Sequence, residues 1–243
     1  MKLLTAYFDR NGKYKKLFTV FKASAEHRIP EVTIEVLKLK HPGKTVNHKF
    51  DACYAHLKAC EKIIADKKNV TVCDCDLLFL KDISDVWEMD FDIAITVRER
   101  IPFNTGIWWY RHNKRSENFI REWIKYTNAI KKELQSGNVP CERFVHYHGG
   151  IDQASLATAL INNPDVNILR LESVIWNSCQ HEWEFINSDT RIVHIKSNLR
   201  KYCFGQIKYP PGYLKPIVKT WRKYYENTKK LPRVDRQTKN KKV

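Results

Sequence analysis

Two carboxylates one residue apart, Asp74 and Asp76, follow a short run of β-branched residues, Val70-Thr71-Val72. A helical pattern precedes this run and apolar residues follow the carboxylates, which is typical of a buried strand in an α/β sheet. Ligands of such sheets bind beyond the carboxyl ends of the strands. Paired carboxylates there can hold Mn²⁺ or Mg²⁺, whose coordination is commonly completed by substrate phosphates. The pattern predicts a metal site for a nucleoside diphosphate, and a solvated turn is the alternative interpretation.

A second pair of carboxylates, Asp90 and Asp92, has the same spacing. It precedes the strand-like residues 93–97 and therefore lies at the amino end of a strand, where a doubly wound sheet does not bind ligands. The position relative to the strands thus selects Asp74 and Asp76 as the candidate metal ligands.

Length and composition indicate one large domain. The chain has 243 residues, of which 43% are hydrophobic, and this is ample material for an α/β core. No apolar run approaches the ~18–20 residues of a membrane span, and charge appears too early for a signal peptide. Seven cysteines without a CxxC pair indicate reduced, packed thiols. We therefore expect a cytoplasmic protein.

The formal net charge of +16 is distributed unevenly. Residues 229–243 carry seven Lys or Arg and one Asp, so we expect a domain over 1–228 followed by a basic, disordered tail. Nucleic acid, an anionic membrane surface and phosphate-bearing substrates are all possible partners for this charge. A solvated basic surface is the remaining alternative, and charge alone does not choose among them.

Hydrophobic periodicity predicts alternating strands and helices. We predict strands over residues 2–8, 31–39, 70–72, 93–97, 102–110, 166–171 and 191–195. Predicted helices span residues 14–27, 49–65, 116–130 with Ser116 as its cap, 152–160 with Asp152 as its cap, and a last segment from Lys215. This alternation favours a single α/β domain with a mainly parallel central sheet flanked by helices.

Four short motifs occur in an order that resembles the GT-A glycosyltransferases, over about residues 2–200. They are Asp74-x-Asp76 after a strand, Asn104-Thr105-Gly106 before a strand, Gly150-Ile151-Asp152-Gln153 opening a helix, and His194 ending a strand. The order is most similar to the small retaining family 8, the glycogenin- and galactosyltransferase-like type. The resemblance implies that Asp74, Asp76 and His194 hold Mn²⁺ or Mg²⁺ against the diphosphate of a sugar nucleotide.

The same resemblance assigns the donor site. Ala6 and Tyr7 would face the nucleotide base, and Lys49 would be a basic donor contact. The family's closing motif has a Gly three residues and a Lys six residues after the His, where this chain has Ser197 and Arg200. An Arg can bind the β-phosphate bidentately, and Lys196 is a further candidate cation near the diphosphate.

Sugar recognition is assigned to two of the motifs. Asn104 and Thr105 offer donors and acceptors for sugar hydroxyls, while Gly106 and Gly150 permit close approach of a ligand to the backbone. A strand-entry turn is the alternative for the first motif. The resemblance implies that Asp152 orients the sugar and Gln153 lies near the reacting face. The alternative roles for Asp152 are the base of an inverting transfer and a helix cap.

These observations predict a metal-dependent, retaining glycosyltransferase that moves a sugar to a glycan, glycoprotein or glycolipid, and they favour a UDP-linked donor over a GDP-linked one. The basic tail is expected to allow peripheral contact with anionic membranes. Two alternatives stay open. One is a nucleotidyltransferase on a related scaffold, and the other is a basic nucleic-acid-binding protein, although the aromatic residues are not interleaved with the basic ones. His146 and His148 with Asp152 could also bind zinc on a strand.

Overall fold

A computed structural model describes residues 1–9, 12–39, 48–99 and 102–230. The side chain of Lys49, although its backbone is helical, lies outside the described part, as do residues 231–243 of the predicted tail. No helix within these ranges is long and apolar enough to span a membrane.

Within the described ranges, six strands form the central sheet, in the order β2-β1-β3-β6-β5-β7, and two more form a small second sheet. The strands are β1 (Lys2–Tyr7), β2 (Thr33–Lys38), β3 (Val70–Cys73), β4 (Leu77–Phe79), β5 (Ile93–Val97), β6 (Phe103–Tyr110), β7 (Ile168–Glu172) and β8 (Ile192–His194). β1 pairs in parallel with β2 and β3, and β5 with β7. β6 is antiparallel to both of its neighbours. The predicted mainly parallel sheet is confirmed, with β6 as the reversed strand.

Helices connect and cover the strands, as the crossovers of a parallel sheet require. They are α1 (Lys13–Arg28), α2 (His48–Asp66), α3 (Lys114–Gln135), α4 (Val139–His148), α5 (Ile151–Asn162), α6 (Ser173–Trp176), α7 (Ser197–Cys203) and α8 (Lys215–Lys230). Short 3-10 helices span Ser84–Glu88, Trp183–Phe185 and Gly212–Leu214. α8 includes the first two residues of the segment that we predicted as a tail.

Two tryptophans show how the sheet divides the core. Trp108 and Trp109 are neighbours on β6 and point to opposite faces, because side chains alternate along a strand. Trp109 packs in the cluster that contains Phe21, and Trp108 packs in the cluster of the other face with Trp123 of α3. Their exposures are 0% and 1%, so both faces of the sheet are covered.

Three local predictions differ from the structure. The N-cap of α3 is Asn113, which forms a reciprocal capping box with Ser116, so Ser116 lies inside the helix. The region before Gly149 is a helix, α4, in which a proline occupies the first turn, and not the strand on which the zinc alternative placed His146 and His148. α5 begins at Ile151 after Gly150 without a side-chain cap, so Asp152 does not cap it.

The two Asp-x-Asp pairs lie at opposite ends of the sheet, as their positions predicted. Asp74 and Asp76 follow β3 at its carboxyl end. Asp92 precedes β5 and is buried at 2% exposure, where Arg115 and Asn113 hold its carboxylate. Asp92 is therefore bonded to the protein's own groups at the far end of the sheet.

Candidate active site

A cleft of about 680 Å³ lies over the carboxyl ends of β1 and β3. Its lining comes from both strands and the residues that follow them, the start of α1, one face of α2, two residues of β6, and single residues of α5 and α7. These residues are Ala6, Tyr7, Phe8, Lys13, Tyr14, Asp51, Ala52, Ala55, His56, Ala59, Val72, Cys73, Asp74, Cys75, Asp76, Thr105, Trp108, Asp152 and Arg200. The cleft occupies the edge of the sheet where α/β folds bind ligands.

Asp74, Asp76 and His194 converge at this edge. Each offers one ligand atom, and these atoms all lie within 4.8 Å of one another. His194 Nε2 is 3.0 Å from Asp76 Oδ1 and 3.4 Å from Asp74 Oδ2. The antiparallel pairing of Leu77 with His194 brings β8 beside the turn after β3. Two carboxylates and an imidazole in such a cluster can hold a divalent cation.

The electrostatics of the cluster suit metal coordination. Burial, reinforced by the charge of Lys196, lowers the pKa of His194 to about 4, so the imidazole is neutral at physiological pH. Burial opposes ionisation of Asp76, but His194 and Arg200 outweigh it and hold the Asp76 pKa below its usual value. More than half of the Asp74 side-chain surface, 56%, is open to the cleft. Desolvation and the charge of Asp76 raise the pKa of Asp74, and a cation bound between the two carboxylates would offset their repulsion.

Gly106 makes room for His194. A Cβ at residue 106 would lie 2.6 Å from His194 Cε1 and 2.8 Å from Nδ1, closer than side chains pack. The carbonyl of Gly106 also accepts a hydrogen bond of 2.8 Å from the Asp74 N–H. We predicted that this glycine admits a ligand, whereas the structure shows that it admits the imidazole of the candidate metal site.

Arg200 reaches the same cluster from α7. Its Nη2 donates to Asp76 Oδ2, and its Nε donates to the carbonyl of Ile195 at 2.9 Å. The guanidinium lies over the ring of Tyr14, 5.7 Å from the centroid. Burial tends to lower the pKa of Arg200, but the Asp76 carboxylate raises it above its ordinary value, so the cation is firmly held.

Ser197 opens the turn that brings Arg200 to the site. Its φ is +49°, in the left-handed region that favours glycine. Its hydroxyl donates to Gln180 Oε1 at 2.8 Å. The backbone path expected for a glycine at this position is therefore retained with a serine.

Asp152 and Gln153 lie at the start of α5. Thr105 Oγ1 donates to Asp152 Oδ2, and Arg98 Nη2 donates to Gln153 Oε1 at 2.9 Å. Arg98 also donates to the carbonyl of Phe103 at 2.7 Å. Both residues of the Asp-Gln pair are thus oriented by side chains from the ends of β5 and β6.

Asn104 and Gly150 help to position the residues of the site. Asn104 is buried at 4% exposure, its Oδ1 accepts from the Gly106 N–H, and its Nδ2 donates to the Asn177 carbonyl. Both ends of the amide are used inside the protein, which differs from the sugar contact that we predicted. A Cβ at Gly150 would lie 2.7 Å from Asp152 Oδ1, so this glycine leaves space for the carboxylate.

The remaining predicted donor contacts occupy different places. Ala6 and Tyr7 line the cleft at the end of β1, and the Tyr7 ring stacks on Phe18 with centroids 5.5 Å apart. Lys196 lies directly before α7, where its charge acts on Asp74 and Asp76. Lys49 lies in the first turn of α2, and its side chain is outside the described part of the chain.

Sequence reasoning missed two residues near the site, His56 and Arg98. No motif singled out His56 within α2, and Arg98 meets Gln153 across 55 residues of sequence. His146 and His148 lie on α4, and His148 packs against the rings of Phe144 and Tyr147. Over the described ranges, the one side-chain group suited to a metal is Asp74, Asp76 and His194.

Comparison with known proteins agrees with this geometry. A family model described as nucleotide-diphospho-sugar transferase matches residues 26–201, a range that contains the candidate metal cluster, Asp152 and Arg200. A search of curated proteins finds no match.

Several solved glycosyltransferases share the fold at low identity. GlyE of Streptococcus pneumoniae TIGR4 aligns over 92% of this chain and 60% of its own, with 16% identity and a TM-score of 0.61. The galactosyltransferase LgtC, solved with donor and acceptor sugar analogs, aligns over 93% of this chain and 96% of its own, with 13% identity and a TM-score of 0.54. A glycosyltransferase involved in glycosylation of the major capsid of PBCV-1 aligns over 82% of this chain and 95% of its own, with 12% identity and a TM-score of 0.56. The predicted GT-A fold is confirmed.

Proposed function

This chain belongs to the nucleotide-diphospho-sugar transferase family of glycosyltransferases, and from that premise we propose that it transfers a sugar from a UDP-linked donor with retention of configuration. The observation that carries the proposal is the cluster of Asp74, Asp76 and His194, whose two carboxylates line the same cleft as Asp152. The family 8 type remains our assignment on the order of motifs. The acceptor class that we propose is a glycan, glycoprotein or glycolipid.

The residues of the cluster fit a divalent cation. Two carboxylates supply oxygen ligands, and the neutral imidazole presents Nε2 toward them while its Nδ1 is buried against Gly106. We propose Mn²⁺ or Mg²⁺ as the ion. When bound, it supplies positive charge that stabilises the leaving diphosphate.

Other residues of the protein bind the remaining parts of the donor nucleotide in this proposal. Arg200 carries a guanidinium at the cleft wall, and a phosphate can accept its bidentate hydrogen bonds. Ala6 and Tyr7 bound the end of the cleft proposed for the base. Lys196 adds positive charge beside the same cluster.

Asp152 and Gln153 act on the sugar in this proposal. The Asp152 carboxylate, fixed by Thr105, accepts hydrogen bonds from sugar hydroxyls, and Gln153, fixed by Arg98, lies at the reacting face. In a retaining transfer the acceptor hydroxyl attacks from the side that the diphosphate leaves. Its proton then passes to the departing phosphate oxygen, so no carboxylate base is required.

The proposal is tested with purified protein and a panel of UDP-, GDP- and CMP-sugars, each with and without Mn²⁺. Slow transfer of the sugar to water makes an acceptor unnecessary, and the products are separated by chromatography. We expect free UDP and sugar from a UDP-sugar in the presence of Mn²⁺. Release of UMP, or no turnover of any donor by folded protein, would contradict the proposal.

Stereochemistry is tested separately by proton NMR of the first-formed product from an α-linked donor. We expect the α-anomer. A β-linked product would show that the transfer inverts the configuration, and Asp152 would then be the candidate base.

A further inference from the structure

One face of α2 forms a wall of the cleft. Asp51, Ala52, Ala55, His56 and Ala59 all line it, at the spacing that places residues on one side of a helix. Three of the five are alanines, whose small side chains leave space beside the strand ends. Among the described residues of this face, His56 is the one ring that lines the cleft.

The surroundings of His56 fix its ring and its charge. The imidazole packs against Trp123 with centroids 4.3 Å apart and against Trp108 at 6.0 Å. Its Nε2 is 3.4 Å from Cys60 Sγ. Burial lowers the pKa of His56 to about 4, against the opposing charge of Asp152, so the ring is neutral at physiological pH. Within the described residues, Nδ1 has no hydrogen-bond partner.

Contacts divide the lining of the cleft into two groups. His56 packs against Trp108, and Thr105 donates to Asp152, whose charge also acts on His56. The ring of Tyr14 lies against the guanidinium of Arg200, which donates to Asp76. If the diphosphate binds at the candidate metal cluster and the base near β1, the sugar occupies the side of the cleft with His56 and Asp152.

We infer that His56 recognises a hydroxyl of the donor sugar through Nδ1, on the wall facing Asp152. This inference rests on the proposed function. A neutral imidazole nitrogen can make one hydrogen bond with a hydroxyl, while the carboxylate of Asp152 accepts from a neighbouring one. Together they suit the adjacent hydroxyls of a neutral sugar.

Two isosteric substitutions separate this role from a packing role. The amide of Asn reaches about as far as the imidazole Nδ1, and the amide of Gln about as far as Nε2. His56→Asn therefore keeps a polar group toward the cleft, and His56→Gln keeps one toward Cys60. Both variants lose part of the ring that packs on Trp123.

The experiment measures donor hydrolysis with Mn²⁺ and, separately, the inhibition constant of UDP, which lacks the sugar. For His56→Gln we expect kcat/KM to fall about tenfold, the size of one lost hydrogen bond, with UDP inhibition unchanged. For His56→Asn we expect kcat/KM within about threefold of wild type. The preference of wild type for the parent sugar over one matching deoxy-sugar should disappear in His56→Gln.

Equal losses in the two variants, or wild-type activity in both, would overturn the inference, because a packing residue does not distinguish Nδ1 from Nε2. Weaker UDP inhibition in His56→Gln would overturn it as well, since the sugar is absent from that ligand. If the wild-type protein neither binds UDP nor turns over a UDP-sugar, the proposed function fails, and this inference fails with it.

Discussion

The imidazole of His194 fills the space that a side chain at Gly106 would occupy, with only 2.6 Å between His194 Cε1 and an ideal Cβ at residue 106. The contact joins β6 of the central sheet to β8 of the small sheet. Gly106 also contacts a second candidate ligand, because its carbonyl accepts a hydrogen bond from the Asp74 N–H. A glycine 88 residues from the histidine in sequence thus sets the position of a candidate ligand.

Gly106→Ala is expected to displace His194 and weaken Mn²⁺ binding at least tenfold, as loss of one metal ligand or its orientation typically does. Calorimetric titration of Mn²⁺ in the presence of UDP measures the change. The control is Gly212→Ala, because a Cβ there meets no atom within 4 Å. Wild-type Mn²⁺ affinity in folded Gly106→Ala would show that His194 does not bind the metal.

Ser197 provides a test of the turn that carries Arg200. At φ +49° a residue with a Cβ is strained by about 1 kcal/mol, and glycine is not. We expect Ser197→Gly to be about 1 kcal/mol more stable than Ser197→Ala, since both variants lose the hydroxyl bond to Gln180. Urea denaturation measures the difference. Equal stability of the two variants would mean that residue 197 is not in the left-handed region.

Acid is expected to destabilise the fold through His56. Its pKa is about 4 in the folded chain against 6.5 for the free side chain, so the unfolded chain binds the extra proton between those values. The contribution of His56 to stability is fully present above pH 6.5 and is lost as the pH falls toward 4. The slope is at most about 1.4 kcal/mol per pH unit for one group.

The free energy of unfolding of wild type and His56→Asn, measured from pH 4 to pH 8, isolates this contribution. The difference between the two proteins should change between pH 4 and 6.5 and stay constant above pH 6.5. A difference that is independent of pH throughout would show that His56 titrates normally in the folded chain.

The basic tail is expected to be dispensable for chemistry. Deletion of residues 231–243 removes five Lys or Arg and one Asp but no residue of the candidate site. We expect unchanged donor hydrolysis and weaker sedimentation with phosphatidylserine vesicles, because each basic residue near such a surface contributes about 1 kcal/mol. Phosphatidylcholine vesicles are the control. Loss of hydrolysis in the folded, truncated protein would place the tail in the site.

Local patterns predicted the elements that carry the site. β3 and its two carboxylates could be read from β-branched residues and from their position in the strand order, and the same reasoning set Asp90 and Asp92 aside. The Asp-Gln pair at a helix start and His194 at a strand end also lie where the sequence indicated. These predictions succeeded because strand ends and helix starts are fixed by short-range signals.

Contacts between distant segments were beyond that reasoning. Arg98 follows β5, where a register shift against β6 lies between Ile95 and Thr96, and it meets Gln153 on α5. Asn104 is buried and hydrogen-bonded inside the protein. Local patterns did not indicate this because its partner, Asn177, comes from a loop 73 residues away. α4 was missed because Pro140 interrupts the hydrophobic pattern, although a proline can occupy the first turn of a helix.

The central claim is that Asp74, Asp76 and His194 bind a metal that in turn binds a nucleoside diphosphate. Calorimetric titration of UDP into wild type, Asp76→Ala, Asp74→Asn and Asp90→Ala, each with Mn²⁺ and with EDTA, tests it most directly, with circular dichroism to verify folding. Asp74→Asn serves as a second site variant because its side chain is more exposed than that of Asp76. We predict Mn²⁺-dependent binding in wild type and Asp90→Ala and its loss in both site variants. Equal, Mn²⁺-dependent UDP affinity in all four folded proteins would contradict the account.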